Sequence, residues 1–296
     1  MNDIEERSTE ISKRKTGLQR ALYRFFHSPL SVIGLLIILF IAAVAVFAPY
    51  LAPYPGDAGD AINFGRSFKP PSAEHPFGTD EVGRDIFSRV IFGSRLSLKV
   101  GGVVLFIAIT VGIPLGLIAA YMGGITETII MRLADVFLSI PPLVLALAVA
   151  AVFKPSLTNS MIAISFTWWP WYVRLAYGEG LSIKEEDFVE VSESVGASKF
   201  HVMFREILPN MASALLVKGT LDMGYAILMG ASLGFLGVGA QPPTPAWGTM
   251  ISLGRRHLSQ AWWLATFPGI AIFLTVLGFN LLGDGLRDFF DVEVER

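Results

Sequence analysis

The sequence predicts an all-α membrane protein with six transmembrane helices, and three observations lead there. Of its 296 residues 53% are hydrophobic and only 16% are charged, against about 25% charged in soluble domains. The charges are also confined. None falls between Arg24 and Asp57, Lys99 and Glu127, Asp222 and Arg255, or Arg256 and Asp284, and each gap holds the roughly 20 helical residues that cross a hydrocarbon layer about 30 Å thick. Two shorter gaps, Asp135 to Lys154 and Lys154 to Arg174, reach span length if Asp135 and Lys154 lie near opposite surfaces. These stretches are apolar on all sides and lack the alternation of barrel strands, which disfavours a β-barrel.

In chain order, residues 1–28 are polar and basic and are predicted to be a cytoplasmic segment. The apolar run that follows is too long for a cleavable signal and has no small-residue cleavage site, so 29–50 reads as a membrane anchor. Residues 51–97 form a loop whose basic residues are matched by Asp57, Asp60, Glu74, Asp80, Glu81 and Asp85, as expected of a neutral, folded external segment. Inside it, Arg84 to Leu98 has the pattern of an amphipathic helix, with Ile86, Phe87, Val90 and Ile91 on one face and Asp85 placed to pair with Arg89. That helix either lies on the outer membrane surface or leads into span two. A five-helix core follows over 98–290, with spans expected at 98–121, 129–152, 159–179, 211–236 and 265–286. An even number of spans puts both termini on one side, and a cytoplasmic N-terminus leaves the majority of Lys and Arg inside, in keeping with the positive-inside rule. Prolines at 114, 141, 142, 170 and 268 predict kinked helices whose freed carbonyls are satisfied by neighbours. The pairs Gly112/Gly116 and Gly230/Gly234 predict close helix packing.

Several functions are disfavoured. A net charge of −2 offers no concentrated basic face for nucleic acid. With no cysteine, disulfides and thiolate metal sites are excluded, and the four histidines are too far apart to predict a metal site. An intramembrane hydrolase lacks a nucleophile and base within the spans. A gradient-driven transporter would normally show polar relays at midplane and two repeats of broken helices, neither of which is visible. No Gly-x-x-x-x-Gly-Lys-Ser/Thr run is present, so the chain has no phosphate-cradling loop and is not itself an ATPase. Asp135 and Asp222 are the candidate residues of a translocation pathway, because charge within a membrane is usually functional. Each also has a base within one turn, Arg132 and Lys218 respectively, and structural pairing is the favoured reading.

The most polar internal stretch, Leu181 to Pro209, cannot lie in the membrane. Glu185, Glu186 and Asp187 suit a helix N-terminus, and Phe188, Val191 and Val195 recur at helical spacing. Gly196 permits a sharp turn. A second short helix then carries Phe200, Met203, Phe204 and Ile207 before Pro209 opens the next span.

This stretch resembles the coupling loop of bacterial ABC import permeases, whose pattern is Glu-Ala-Ala, three residues, Gly, nine residues, Ile, any residue, Leu-Pro. Glu190, Gly196, Leu208 and Pro209 match at the required spacing. Val191 and Ser192 replace the alanines, and Glu206 stands where the isoleucine belongs. His75 to Leu98 is similar to the external segment before span two in the second permease of the dipeptide, oligopeptide and nickel branch, and Ser232 to Ile251 is similar to the loop after span five. The resemblance extends over roughly residues 20 to 290. It implies a type I importer permease architecture in the inner membrane, with Glu190, Gly196, Ala197, Ser198, Phe200, Leu208 and Pro209 coupling it to an ATPase. It further implies a homologous second permease, two cytoplasmic ATPase subunits that bind ATP and Mg, and an external substrate-binding protein.

Overall fold

The computed structural model describes residues 17–294; most of the predicted cytoplasmic segment lies outside the described residues. The helices are α1 (Gly17–His27), α2 (Pro29–Val46), α3 (Ala48–Leu51), α4 (Ile86–Met122), α5 (Gly124–Leu138), α6 (Pro142–Val152), α7 (Leu157–Lys184), α8 (Asp187–Ser194), a helical run α9 over 199–210, α10 (Ala212–Phe235), α11 (Trp247–Gly254) and α12 (Trp263–Val294). Among the described residues the only β-type pairing is an isolated bridge between Thr79 and Asp85.

Four helices, α2, α4, α10 and α12, are long and apolar enough to cross a membrane, and the bent pair α5–α6 makes a fifth. The sixth expected span is α7. At 28 residues it is long enough, about 42 Å at 1.5 Å per residue, but its polar and charged residues leave it below the apolarity of the others. The reason is its position: Ser160, Ser165, Thr167, Trp168, Trp169 and Tyr172 are all buried. A helix enclosed by other helices need not be oily.

The expected single span 129–152 is in fact broken. Its two halves meet at 89°, around Ser139, Ile140 and Pro141. Consecutive prolines at 141 and 142 each lack a backbone donor, and a proline disfavours helical geometry in the residue before it, so the helix cannot run through. The loop after span five likewise contains an element not foreseen: α11, whose Trp247 and Met250 pack with Trp263 and Leu264 of α12.

α4 settles the two readings of 84–98. It is one 37-residue helix, about 55 Å long, so the amphipathic stretch is a lead-in fused to span two and does not lie flat. Its apolar side is buried, Ile86 against α11 and α12 and Ile91 against α3 and Ala52. The expected Asp85–Arg89 pair does not form. Asp85 is the N-cap, accepting from Ser88 N at 2.7 Å, and pairs with the buried His75 at 2.9 Å. Arg89 instead donates to the carbonyls of Asp57, at 2.9 Å, and Pro243, at 3.1 Å. Further bonds tie this end together: the Trp247 indole donates to Val90 O at 2.9 Å and the Trp263 indole to Thr79 O at 3.1 Å.

The most extensive contact in the bundle joins α4 to α7. Here the Gly112/Gly116 spacing does what small residues do between membrane helices, letting backbones touch. A Cβ at Gly112 would sit 2.6 Å from the Trp169 carbonyl oxygen, and one at Gly116 2.5 Å from that of Val173. Gly178, on the same partner helix, has open space at its Cβ position. Gly112→Ala is therefore expected to destabilise the chain by about 1–3 kcal/mol through overpacking. Gly178→Ala should be neutral or stabilising by up to ~1 kcal/mol, since it removes only unfolded-state freedom. Thermal unfolding in detergent checks both: the same chemical change should lower the midpoint at one position and not at the other.

Candidate functional site

The polar stretch Leu181–Pro209 is built from the end of α7 outward. Lys184, in the last turn of α7, donates its ammonium to the carbonyls of Tyr121, at 3.1 Å, and Ala120, at 3.5 Å, in the last turn of α4. A cation there offsets the partial negative charge of a helix C-terminus. α8 then starts with Asp187 and Glu190 in its first turn, where the opposite partial charge favours acids.

α8 ends at Gly196, whose φ is +89°. The Gly196 amide donates to Glu193 O at 3.0 Å and the Ala197 amide to Ser192 O at 3.1 Å, the paired bonds of a Schellman C-terminus. Nothing lies within 4 Å of a Cβ placed at Gly196. The glycine is thus required by the left-handed backbone and not by crowding. Ser198 caps the next helix, its hydroxyl accepting from His201 N at 3.3 Å. α9 widens into a π-type turn over Val202–Ile207, a geometry frequent at functional sites. Pro209 sits in the first turn of the short helix Leu208–Asn210, two residues before the chain bends at Met211 into α10.

The segment has two apolar faces. One, made of Val189, Val202, Ile207 and Met211, is buried in the same cluster as Leu117 of α4 and Ala176 of α7. The other is bare: Phe188 is 42% exposed, Val191 62%, Val195 80% and Phe200 69%. Sequence reasoning found the bare residues, since they recur at helical spacing. It missed Val189, the residue that seats α8, because Val189 falls outside the 188/191/195 spacing that marked the helix.

Two of the three departures from the coupling-loop pattern, Ser192 and Glu206, prove to be partners. The Ser192 hydroxyl donates to the Glu206 carboxylate, which His201 also faces at 3.4 Å. This polar pair fastens α8 to α9. A second clamp runs from the Tyr121 hydroxyl at the end of α4 to Glu193 of α8.

Of the two acids flagged in the spans, Asp135 does not pair with Arg132. Its partner is Arg174 of α7, in an ion pair between half-exposed side chains. Asp222 pairs as expected with Lys218, at 2.7 Å, and its carboxylate is buried. The Lys218 ammonium also lies 5.7 Å from the centre of the Trp171 ring. The buried hydroxyl of Tyr172 on α7 interacts with the Asp222 carboxylate. The neighbouring turn of α7 thus serves both acids, through Trp171 and Arg174. Among the described residues no cluster of potential metal ligands is present.

A bundle of apolar helices with a polar helix–turn–helix braced across one end is the architecture of a multi-pass membrane protein. The chain belongs to the family of binding-protein-dependent transport system inner membrane components, whose family model matches residues 112–296. Residues 16–71 match the N-terminal transmembrane domain of oligopeptide transport permease C. It is 47% identical over 264 residues to the probable D,D-dipeptide transport system permease protein DdpC of Escherichia coli K12, covering 89% of this chain and 88% of that one. To the dipeptide transport system permease protein DppC of Haemophilus influenzae it is 41% identical over 290 residues, covering 95% and 97%. To the glutathione transport system permease protein GsiD of Escherichia coli O6:K15:H31 it is 42% identical over 272 residues, covering 92% and 89%. A chain of the MetNI methionine ABC transporter, solved in inward-facing conformations, has the same fold, with a TM-score of 0.57 at 17% identity over 70% of this chain and 97% of that one. The protein is therefore a permease subunit of an ABC importer in the inner membrane, and its relatives are permeases, not ATPases.

The Ser192–Glu206 pair gives a local prediction. Glu206→Ala should release α8 from α9 at a cost of about 1 kcal/mol for a neutral-to-charged hydrogen bond at a partly exposed site, opening the segment roughly fivefold more often. Limited trypsin digestion of membranes, with cleavage followed at Lys199 and Arg205, should be faster by that factor.

Proposed function

We propose that this chain is the second-type permease of an importer of small peptides, and that residues 181–209 are the handle by which partner ATPases move it. The observation that carries this reading is the bare apolar face of α8 and α9 beside a glycine-closed turn. Phe188, Val191, Val195 and Phe200 stand away from the chain's own core, and burying them needs a partner surface. Glu190, Gly196, Ala197, Ser198, Phe200, Leu208 and Pro209 are the residues we assign to that contact.

The rest of the assembly follows from the family. A homologous permease completes the pathway, two cytoplasmic subunits bind ATP and Mg, and an external binding protein delivers cargo. The handle then lies in the cytoplasm together with both termini, and residues 51–97 lie outside. The peptide assignment rests on relatives named for dipeptides, D,D-dipeptides and glutathione. Asp135 and Asp222 border the pathway on this reading, each already neutralised by a base. Closure of the ATPases shifts the handle as a rigid body and swings the helices between outward and inward openings.

The test is substitution at Gly196 in the complete complex. Gly196→Val places a branched side chain in a left-handed backbone, at a penalty of about 1–2 kcal/mol for an ordinary residue and more for a β-branched one. ATP hydrolysis stimulated by loaded binding protein should be lost while the chain remains inserted. Gly196→Asn, which tolerates that backbone, should keep most of the activity. Normal stimulation in the valine variant, with normal uptake, refutes the handle.

A further inference from the structure

At the end of α4 remote from the handle, an open concavity of about 610 Å³ is walled by Phe92, Arg95 and Lys99 of α4, by Gly59 and by Pro243 and Pro245. Small-molecule sites commonly enclose about 300–1,000 Å³. Two of its walls are fixed by one side chain. The guanidinium of the buried Arg89 donates to Asp57 O, beside Gly59, and to Pro243 O, so the 57–59 turn and the 243–245 loop are held to α4 at a set separation.

The charges around this concavity divide into two kinds. Those of the folded 57–85 segment pair with one another, Asp57 with Arg66, Asp80 with Arg84 and His75 with Asp85, while Asp60, beside Gly59, is exposed and makes no ion pair among the described residues. Arg95 and Lys99 are exposed and have neither an ion pair nor a hydrogen bond among the described residues. Four residues apart on one helix, they share a face, with about 5–6 Å between their Cβ atoms. No acid lines the concavity. Two cations on the wall of this open concavity give it a net positive field that Asp60 only partly offsets.

We infer that Arg95 and Lys99 form an anion site at the outer mouth that receives the free carboxylate of the cargo as it passes from the binding protein. The inference rests on the proposed peptide cargo and topology. A guanidinium and an ammonium on one face suit the two oxygens of a carboxylate, and the cargoes for which the relatives are named all carry one. The pocket between protein walls favours a small solute over a lipid headgroup, which long basic side chains near a bilayer surface can otherwise reach.

The experiment uses the complete complex with its binding protein, in vesicles of phosphatidylcholine and, separately, of phosphatidylcholine with phosphatidylglycerol. Dipeptide uptake at subsaturating concentration is compared for wild type, Arg95→Gln/Lys99→Gln, Lys99→Gln alone and the charge-keeping Arg95→Lys/Lys99→Arg. The double glutamine variant should lose about tenfold, the low end of what a charged cleft contributes to capture of a counter-ion. Lys99→Gln alone should fall between, which keeps the test open if the double variant assembles poorly. The charge-keeping variant should match wild type. The binding-protein concentration giving half-maximal ATPase stimulation should not move. Unchanged uptake in both glutamine variants overturns the site. So does a loss matched by an equal rise in that half-maximal concentration, which would assign the cations to the binding protein, or a loss seen only with phosphatidylglycerol, which would assign them to lipid. Absence of dipeptide uptake by the wild-type complex sinks the cargo reading together with this one, whereas normal wild-type uptake with unaffected variants sinks the site alone.

Discussion

The close approach of α4 and α7 governs the rest of the molecule. Gly112 meets Trp169 and Tyr172, Gly116 meets Val173 and Ala176, and Gly180 meets Ala120 and Leu117. The contacts advance in the same direction along both helices, so the pair is parallel. Parallel neighbours need a connection that carries the chain back across the bundle, and α5 and α6 supply it. Parallel neighbours also bring two C-termini, with their unpaired carbonyls, to one end. Lys184 answers that concentration of negative partial charge by donating to both carbonyls at the end of α4. The 181–209 segment therefore hangs from a point where two helices are already locked together, and on the proposed reading a push on α8 is delivered to α4 and α7 at once.

Rigidity of the handle has a second source. A helix of eight residues is not stable alone in water, and α8 is held by one buried valine, a Schellman turn and two carboxylate clamps, Glu193 to Tyr121 and Glu206 to Ser192. The clamps are polar and lie at the surface, where each is worth only about 1 kcal/mol. Their number compensates for their weakness. They also leave the apolar side chains of α8 free, because the segment is fastened to its own protein without using Phe188, Val191 or Val195.

Much of this was legible in the sequence, for reasons that differ by element. The spans showed themselves through long uncharged runs, and the helix–turn–helix of 181–209 through a polar stretch between them. Gly112/Gly116 and Lys218–Asp222 could be read because both depend on spacing within one helix. What depends on contact between distant segments could not. Asp135 has a base one turn away in Arg132, yet its partner is Arg174, 39 residues on. Arg89 lies four residues from Asp85, yet reaches the carbonyl of Pro243, 154 residues away. The break at Pro141 was signalled by its prolines, but a kinked single span is written in the same letters as a broken one. The six-span count likewise survives only approximately, because apolarity marks exposure to lipid and the polar and aromatic residues of α7 are largely packed inside the bundle.

The placement of charge across the chain has a physical logic of its own. Every carboxylate in or bordering the spans that was singled out from the sequence is matched by a base on this same chain, Asp135 by Arg174 and Asp222 by Lys218. An isolated charge in a low-dielectric region costs several kcal/mol, and it would also hold an oppositely charged solute midway. Pairing removes both effects. A peptide moving past such a surface meets little net field and few strong donors, which on the proposed reading lets the helices release cargo as readily as they admit it. On that reading affinity is best placed outside the bilayer, where water screens charge and weak contacts can be made and broken, and Arg95 and Lys99 stand exposed toward the handle-remote end of α4.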